Sequence, residues 1–377
     1  MKTQSFLFFL LLIIVLLYSS CKIKPELYDI ARFNIAITNN DIDTVKYYLK
    51  RYKNISNAML SVKPILGYDE HLSPIMQSVY YNKEGTEILE LLVRNGGNIH
   101  FLNEKNMDAI QFASLYENTK ALLFLIDKGA DINSKDINNE TSLFSAVVYK
   151  NLEIMQILLE NGADVNIKSN INNYSVYHFI PWLEDISTEM RKEMYNMLIQ
   201  YDASSFDSLS ASGHTPFSFT LSFGQYDMID FFLEHGASVN KALNCGDTYL
   251  GDLLHIYNKE YIIKLLNNCD GFINGKNENG NTLLMLGILS ENDQDIEYET
   301  LKFLAEKSEN IDQKNDEGAT AFMLAVAMNR LDIARLLIDM GADKYHKNNM
   351  GLDAINYHEH FQREFGNPIN PEVYKLF

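Results

Sequence analysis

Gly129-Ala130-Asp131-Ile132-Asn133 returns as Gly162-Ala163-Asp164-Val165-Asn166, 33 residues further along the chain. Looser copies stand at Gly96-Gly97-Asn98-Ile99, Gly236-Ala237-Ser238-Val239-Asn240 and Gly341-Ala342-Asp343. Self-similarity at a fixed period of this length marks an array of supersecondary units, none of which buries its apolar face alone. Such an array builds no central pocket from distant segments. The period therefore points to binding another macromolecule rather than to catalysis.

The unit is clearest around the second copy. Asp136-Ile137-Asn138-Asn139-Glu140 is a polar turn, and Thr141 is placed as an N-cap whose hydroxyl satisfies an orphan backbone N–H. Leu143, Ala146 and Val147 follow at i, i+3, i+4 and predict one helix; Ile154, Ile157 and Leu158 predict a second after a break at Lys150-Asn151. Gly162 then supplies the left-handed residue that ends helices, and Asp164 to Ile167 reads as strand-like.

This pattern resembles the ankyrin repeat, with its Gly-x-Thr-Pro-Leu-His entry, Ala-rich first helix, Leu-Leu ending and Gly-Ala-Asp-x-Asn. Gly213-His214-Thr215-Pro216-Phe217 is the fullest entry match; Leu72-Ser73-Pro74-Ile75, Gly280-Asn281-Thr282-Leu283-Leu284 and Gly318-Ala319-Thr320-Ala321-Phe322 are others. Leu-Leu endings stand at Leu91-Leu92, Leu158-Leu159, Leu265-Leu266 and Leu336-Leu337. The resemblance covers about residues 28 to 377 and implies an all-α solenoid of helix-turn-helix units with short β-hairpin turns. It also implies a structural role for His71, His178, His214 and His255, near helix starts.

Four places depart from the pattern. Tyr174 to Ile199 is stretched, with Pro181-Trp182 and a longer second helix, and the acidic segment Asn292 to Tyr298 is expected to lengthen a turn between helices. Ser56 to Glu70 lengthens a link between units. After Gly351, Leu352 to Phe365 reads as a closing helix with Glu359, Gln362 and Arg363 on a polar outer side.

With 46% hydrophobic residues, including 22 Tyr and 21 Phe, the 377-residue chain has ample surface for a continuous core. Its formal net charge of -18 argues against a nucleic-acid partner, which needs a Lys/Arg-rich face. The N-terminus is a second signal: Met1-Lys2, an apolar run from Phe6 to Leu17, then Tyr18-Ser19-Ser20-Cys21. That run suits a cleavable signal peptide (1–20) and is shorter than the roughly 20 apolar residues that span a bilayer. Small residues before Cys21 resemble the lipobox of bacterial lipoproteins, although Tyr18 stands where the leucine usually does. The resemblance implies that Cys21 is the lipid attachment site, with residues 21–27 as a tether to an array over 28–377.

No nucleophile elbow, phosphate-binding loop or His-Glu-x-x-His pair is present, so no residue is assigned catalysis and no cofactor is expected. His358-Glu359-His360 on a helix points its two imidazoles to different sides, which suits a solvated cap and not a metal. Cys245 and Cys269 fall at the same end of one unit; a disulfide between them and two free thiols both fit the sequence.

Ankyrin repeats usually dock partners on turn tips and on the exposed flank of the first helices. Carried over by position, the flank candidates are Tyr80, Tyr81, Tyr116, Tyr149, Phe223 and Tyr257, a row of aromatics suited to an interface. Packing of those rings against the neighbouring repeat is the competing reading. The turn tips add Asn103, Lys105, Asp136, Asn138, Ser212, Asn279, Asp316, Glu317 and Asn349, residue types that turn geometry also selects. The expectation is a monomeric protein-binding scaffold, lipid-anchored at a bacterial cell envelope. A periplasmic immunity protein that binds one enzyme, and a surface protein that binds host proteins, share the same architecture. An enzyme built around Trp182, Glu184 and Asp185 lacks an accompanying base, nucleophile or metal set.

Overall fold

The structure, a computed structural model, describes residues 25–52, 54–58, 72–239, 259–268, 275–277, 279–290, 294–366 and 368–377. The signal segment, Cys21, His71, Cys245, His255, Tyr257, Cys269 and most of the 56–70 link lie outside these residues. The chain divides into two compact units, one of Met1–Ile186 with Glu193–Ser205 and the other of Ser187–Lys192 with Phe206–Phe377.

The first unit is a succession of helix pairs: α1 (Pro25–Thr38) with α2 (Ile42–Arg51), α3 (Pro74–Tyr81) with α4 (Glu87–Arg94), α5 (Ala109–Leu115) with α6 (Thr119–Asp127), and α7 (Ser142–Val148) with α8 (Leu152–Glu160). The tether expected over 21–27 is thus already helical from Pro25. Local chemistry sets each boundary. The Asp108 carboxylate accepts from Gln111 N–H at 3.1 Å while the Gln111 side-chain Oε1 accepts from Asp108 N–H at 3.1 Å, a complete capping box. Asn118 and Asn151 cap the second helices through Ala121 and Ile154 N–H, at 3.0 Å each. At the far end Gly162 takes φ +92°, which lets Ala163 N–H reach back to the Leu158 carbonyl at 2.9 Å.

Two expectations need correction here. Thr141 does sit at the N-cap with extended backbone, yet its hydroxyl makes no capping bond; Phe144 N–H bonds the Thr141 carbonyl instead, at 3.0 Å. Nor does Asp164 to Ile167 form a strand. Among the described residues there is no strand, only the isolated antiparallel bridges Lys276–Thr282 and Lys314–Thr320. Each expected hairpin is a side-chain-braced turn. The Asp136 carboxylate accepts from both Asn138 and Glu140 N–H at 2.8 Å, leaving too few extended residues for a ladder.

Successive units are joined by polar bonds as well as by apolar packing. Ile137 N–H donates to the Lys105 carbonyl at 2.8 Å and Asn170 N–H to the Asn138 carbonyl at 2.7 Å, one bond per step from turn to turn. Asn133, last of the repeated motif, donates to the Gly162 carbonyl at 3.1 Å and accepts from Asp164 N–H at 2.8 Å. This copy of the motif therefore holds the next one. Between these bonds lie Met76, Val79, Ile110, Phe112, Leu143, Phe144 and Val147, all buried. The stretched unit follows as a four-residue α9 (Val176–Phe179), a 3-10 turn (Ile180–Trp182) and the 14-residue α10 (Thr188–Tyr201), so the longer second helix is present.

The second unit repeats the scheme with α11 (Pro216–Ser222), α12 (Ile229–Glu234), α13 (Lys259–Asn267), α14 (Leu283–Leu289), α15 (Gln294–Lys307), α16 (Ala321–Ala327), α17 (Leu331–Asp339) and α18 (Ala354–Glu364). Of the acidic segment expected to lengthen a turn, the part from Gln294 on is instead helical and belongs to the 14-residue α15, while residues 292 and 293 lie outside the described residues. The closing helix α18 is correctly placed, but its polar outer side is not. Gln362 is buried and donates to the Ala327 carbonyl at 2.7 Å. His358 is fully buried rather than solvated, and its Nε2 accepts from Asn370 N–H at 3.4 Å, just before the 3-10 segment Pro371–Leu376. Glu359 and Arg363 do remain on the surface as an i, i+4 ion pair at 2.9 Å. Among the described residues no helix is long and apolar enough to cross a membrane.

Candidate protein-binding surface

Counting eight residues from each first-helix N-cap brings Tyr81, Tyr116 and Tyr149 into one register: Ser73 caps α3, Asp108 caps α5 and Thr141 occupies the cap of α7. Tyr116 and Tyr149 are the C-cap residues, and Glu117 (φ 57°) and Lys150 (φ 61°) then turn the chain into the second helix. The aromatic is thus set at the corner of its unit. Tyr149 is 50% exposed and Tyr81 is also exposed. Tyr80 and Tyr116 are half-buried because their rings meet edge to face, with centroids 4.5 Å apart, while Tyr81 stands edge-on to Tyr80 at 4.7 Å. The packing reading therefore holds for Tyr80 and Tyr116, whereas Tyr81 and Tyr149 present their rings outward. Phe223 holds the same register in the second unit, after the Thr215 cap, and is exposed. Tyr257 lies outside the described residues.

Trp182, which the sequence marks as part of the stretched unit but not as a flank candidate, belongs beside this row by register. Ser175 starts its unit, where Ser175 N–H donates to His178 Nδ1 at 3.1 Å, so Ser175-Val176-Tyr177-His178 is an entry motif without its proline. Seven residues on, Trp182 shares the register of Tyr80 and Val148 and is 53% exposed. The entry Ser175-x-x-His178 was the available signal. Glu184 and Asp185 beside it are both exposed, and the Glu184 carbonyl accepts from Lys150 Nζ at 2.6 Å.

The turn-tip candidates divide by what they bond. Asn103 is buried, and its side chain accepts from Lys105 and Met107 N–H at 2.9 Å, so it builds the turn as Asp136 does. Asn138, Asn279 and Glu317 lend carbonyls to the next turn: Asn170, Asp316 and Asn349 N–H donate to them at 2.7, 3.1 and 3.0 Å. The Glu317 carboxylate also accepts from the Tyr357 hydroxyl at 3.0 Å, Asn349 Nδ2 donates to the Asp316 carbonyl at 2.8 Å, and the Ser212 hydroxyl pairs with that of Ser210 at 3.1 Å. Lys105 is exposed. Most tip polar groups thus serve the architecture. Glu140 behaves differently: burial, then the neighbouring Asp136 charge, push its carboxyl up, and the Ser169 hydroxyl opposes the shift.

A family model for ankyrin repeats matches the chain in three copies, at residues 33–136, 75–169 and 254–348, together more than half its length. The chain belongs to the ankyrin-repeat family. No curated protein gives a match. Ankyrin repeats form protein–protein interaction modules, typically non-enzymatic, and that is the class of this chain.

Proposed function

We propose that this protein is a binding scaffold whose first unit recognises a protein partner on the flank carrying Tyr81, Tyr116 and Tyr149. The observation that carries the reading is one register occupied by Tyr at three successive units, with Tyr81 and Tyr149 exposed. Folding gives no reason to keep a large ring half in water, whereas Tyr is favoured at interfaces for its rigid area and polar tip. The apolar run Phe6 to Leu17 followed by Ser19-Ser20-Cys21 supports export, with lipid on Cys21 holding a monomer at a bacterial envelope.

One experiment addresses both parts. The wild type, Tyr81→Ala/Tyr116→Ala/Tyr149→Ala and Cys21→Ser are crosslinked in cells, fractionated and affinity-purified. The triple variant is expected to lose partner recovery by roughly ten-fold or more, as central aromatics dominate interface energy, while keeping its helical circular dichroism. Cys21→Ser is expected to leave the membrane fraction. Unchanged recovery by the folded triple variant defeats the flank assignment, and a Cys21→Ser variant still held on membranes defeats the anchor. One stoichiometric enzyme partner would favour an immunity protein over a scaffold.

A further inference from the structure

The first helix pair carries a charge opposite to that of the rest of the chain. Residues 22 to 53 hold seven Lys or Arg against four Asp or Glu, whereas the whole chain has a net charge of -18. Much of that positive charge sits on α2. Val45 and Tyr48 face the core and are buried, while Lys46, Tyr47, Lys50 and Arg51 are exposed. At 3.6 residues per turn those four positions fall within an arc of about 140°, so they share one face of the helix. Direct bonds tie the face together. Arg51 Nη1 donates to the Tyr47 hydroxyl at 3.3 Å, and Arg51 Nε donates to the Tyr52 hydroxyl at 3.1 Å.

The acids around this face are few or engaged. Asp41 accepts from Thr44 N–H at 3.0 Å as the N-cap, and Asp29 accepts from the Tyr52 hydroxyl. On the neighbouring α4, Glu90 pairs with Arg94 at 3.2 Å, and Glu87 is exposed. Asp43 is exposed one turn before Tyr47. Among the described residues, none of Lys46, Lys50 and Arg51 is in an ion pair with a carboxylate.

We propose that this face of α2 lies against a membrane surface rich in anionic phospholipid headgroups, with Lys46, Lys50 and Arg51 at the phosphates. The inference rests on the anchoring reading above and adds a second contact beside the anchor. Position supports it first. Only four residues carry the chain from Cys21 to Pro25, so α1 begins within about 14 Å of the attachment site. The Tyr52–Asp29 bond sets the last turn of α2 beside the start of α1. Lys50 and Arg51 are therefore at the end of the pair that the anchor holds to the bilayer.

Residue type supports it next. A cation in a last turn also suits the helix dipole, yet α6, α8 and α17 end without one, and Lys46 stands too early in α2 to serve it. The contrast with α8 is sharpest, since Glu153 and Glu160 are its charged residues. Lys and Arg beside a bilayer pair with lipid phosphates, and Tyr is favoured at headgroup level, where Tyr47 at 55% exposure has the ring to offer. A basic contact of this kind steadies a lipid-anchored protein.

The probe is vesicles of phosphatidylcholine alone, or of phosphatidylcholine and phosphatidylglycerol in equal amounts. The full chain, purified from cells in detergent, is reconstituted on each with an environment-sensitive fluorescent amino acid in place of Tyr47 or, as control, Tyr149. Emission from position 47 is expected to shift towards that of an apolar setting on the anionic vesicles alone, and raised salt should reverse it; position 149 should not shift. Each cation is expected to contribute roughly five-fold to docking, read as phosphatidylglycerol content is raised. Lys46→Gln/Lys50→Gln/Arg51→Gln should thus weaken it by roughly 150-fold, and Lys46→Gln/Lys50→Gln, which leaves the Arg51–Tyr bonds intact, by roughly 30-fold. Unchanged melting shows that folding is not the cause, and the double variant decides if the triple one melts early. Equal shifts on both vesicles, equal shifts at 47 and 149, or docking unmoved by the double variant overturn the proposal. If the chain floats with both vesicles while position 47 stays in water, this inference falls and the anchoring reading stands. If the chain floats only with anionic vesicles and position 47 shifts there, the surface stands and the anchoring reading falls. If it floats with neither, both fall.

Discussion

Phe112→Ala is expected to destabilise the first unit by about 3–5 kcal/mol, the range for removing a fully buried aromatic. Phe112 is 1% exposed at the middle of α5, flanked by the buried Ile110 and Ala113, and its ring touches Tyr116 at 5.3 Å. No neighbouring unit can collapse into the space, because turn-to-turn bonds at Ile137 and Asn170 and the cross-link from Asn118 Nδ2 to the Val79 carbonyl (2.7 Å) hold the spacing. In a repeat array each unit answers mainly to its neighbours, so the loss should be local. Urea titration followed by hydrogen exchange is the measurement. Amides of α3, α5 and α7 should lose protection well before those of residues 321–327. A uniform loss across the chain would show that the units do not behave as a near-neighbour array.

The second large effect is expected at Gly318, with Gly341 as its control. Both have left-handed backbone, at φ +74° and +91°. A methyl group at Gly341 meets nothing, so Gly341→Ala should cost only the conformational penalty of about 1 kcal/mol. At Gly318 the same methyl would lie 2.8 Å from the backbone nitrogen of Asn349, the donor of the 3.0 Å bond to the Glu317 carbonyl. Gly318→Ala therefore adds a clash and a broken turn-to-turn bond, for a total of roughly 2–4 kcal/mol. Thermal melts of the two variants give the comparison. Equal losses would mean that the turns do not hold one another.

What could be read from the sequence was the phase of the repeat, and through it the elements. Gly162 and Gly129, Asn133, the Thr215-Pro216 entry and the closing helix all announced themselves, since each is selected by local backbone demands. Harder features depend on what lies across from a residue. Gln362 and His358 look like surface polars on α18 until Gln362 is seen to meet the Ala327 carbonyl and His358 to meet Asn370 N–H. Residues 292–298 are acidic and polar, so composition suggested a turn, yet from Gln294 on the chain is helical. Thr141 has the residue type and position of an N-cap, and only the path of its carbonyl shows that the hydroxyl is not used.

The surface follows the same division. Register from the caps located Tyr81, Tyr116 and Tyr149, but not which rings packed together. Tyr80 lies within reach of Tyr116 because α3 and α5 are neighbours, and the pair shields itself. Trp182 stood out in the sequence but not as a member of the flank row, because its unit opens with Ser175-Val176-Tyr177-His178 rather than Thr-Pro. Ile137 and Ile171 were hidden in turns defined by their Asn and Asp neighbours. Glu140 read as one acid among many; its half-burial against Ser169 is a product of stacking.

The most direct test uses photo-crosslinking amino acids at two exposed positions of similar accessibility. Tyr149 is 50% exposed at the end of a first helix, and Leu123 is 50% exposed on the second helix α6. In cells, benzoylphenylalanine at position 149 is expected to trap a discrete protein partner, while the same group at position 123 traps none. Partner capture from 123 with none from 149 would place the working surface on the second helices and contradict the account.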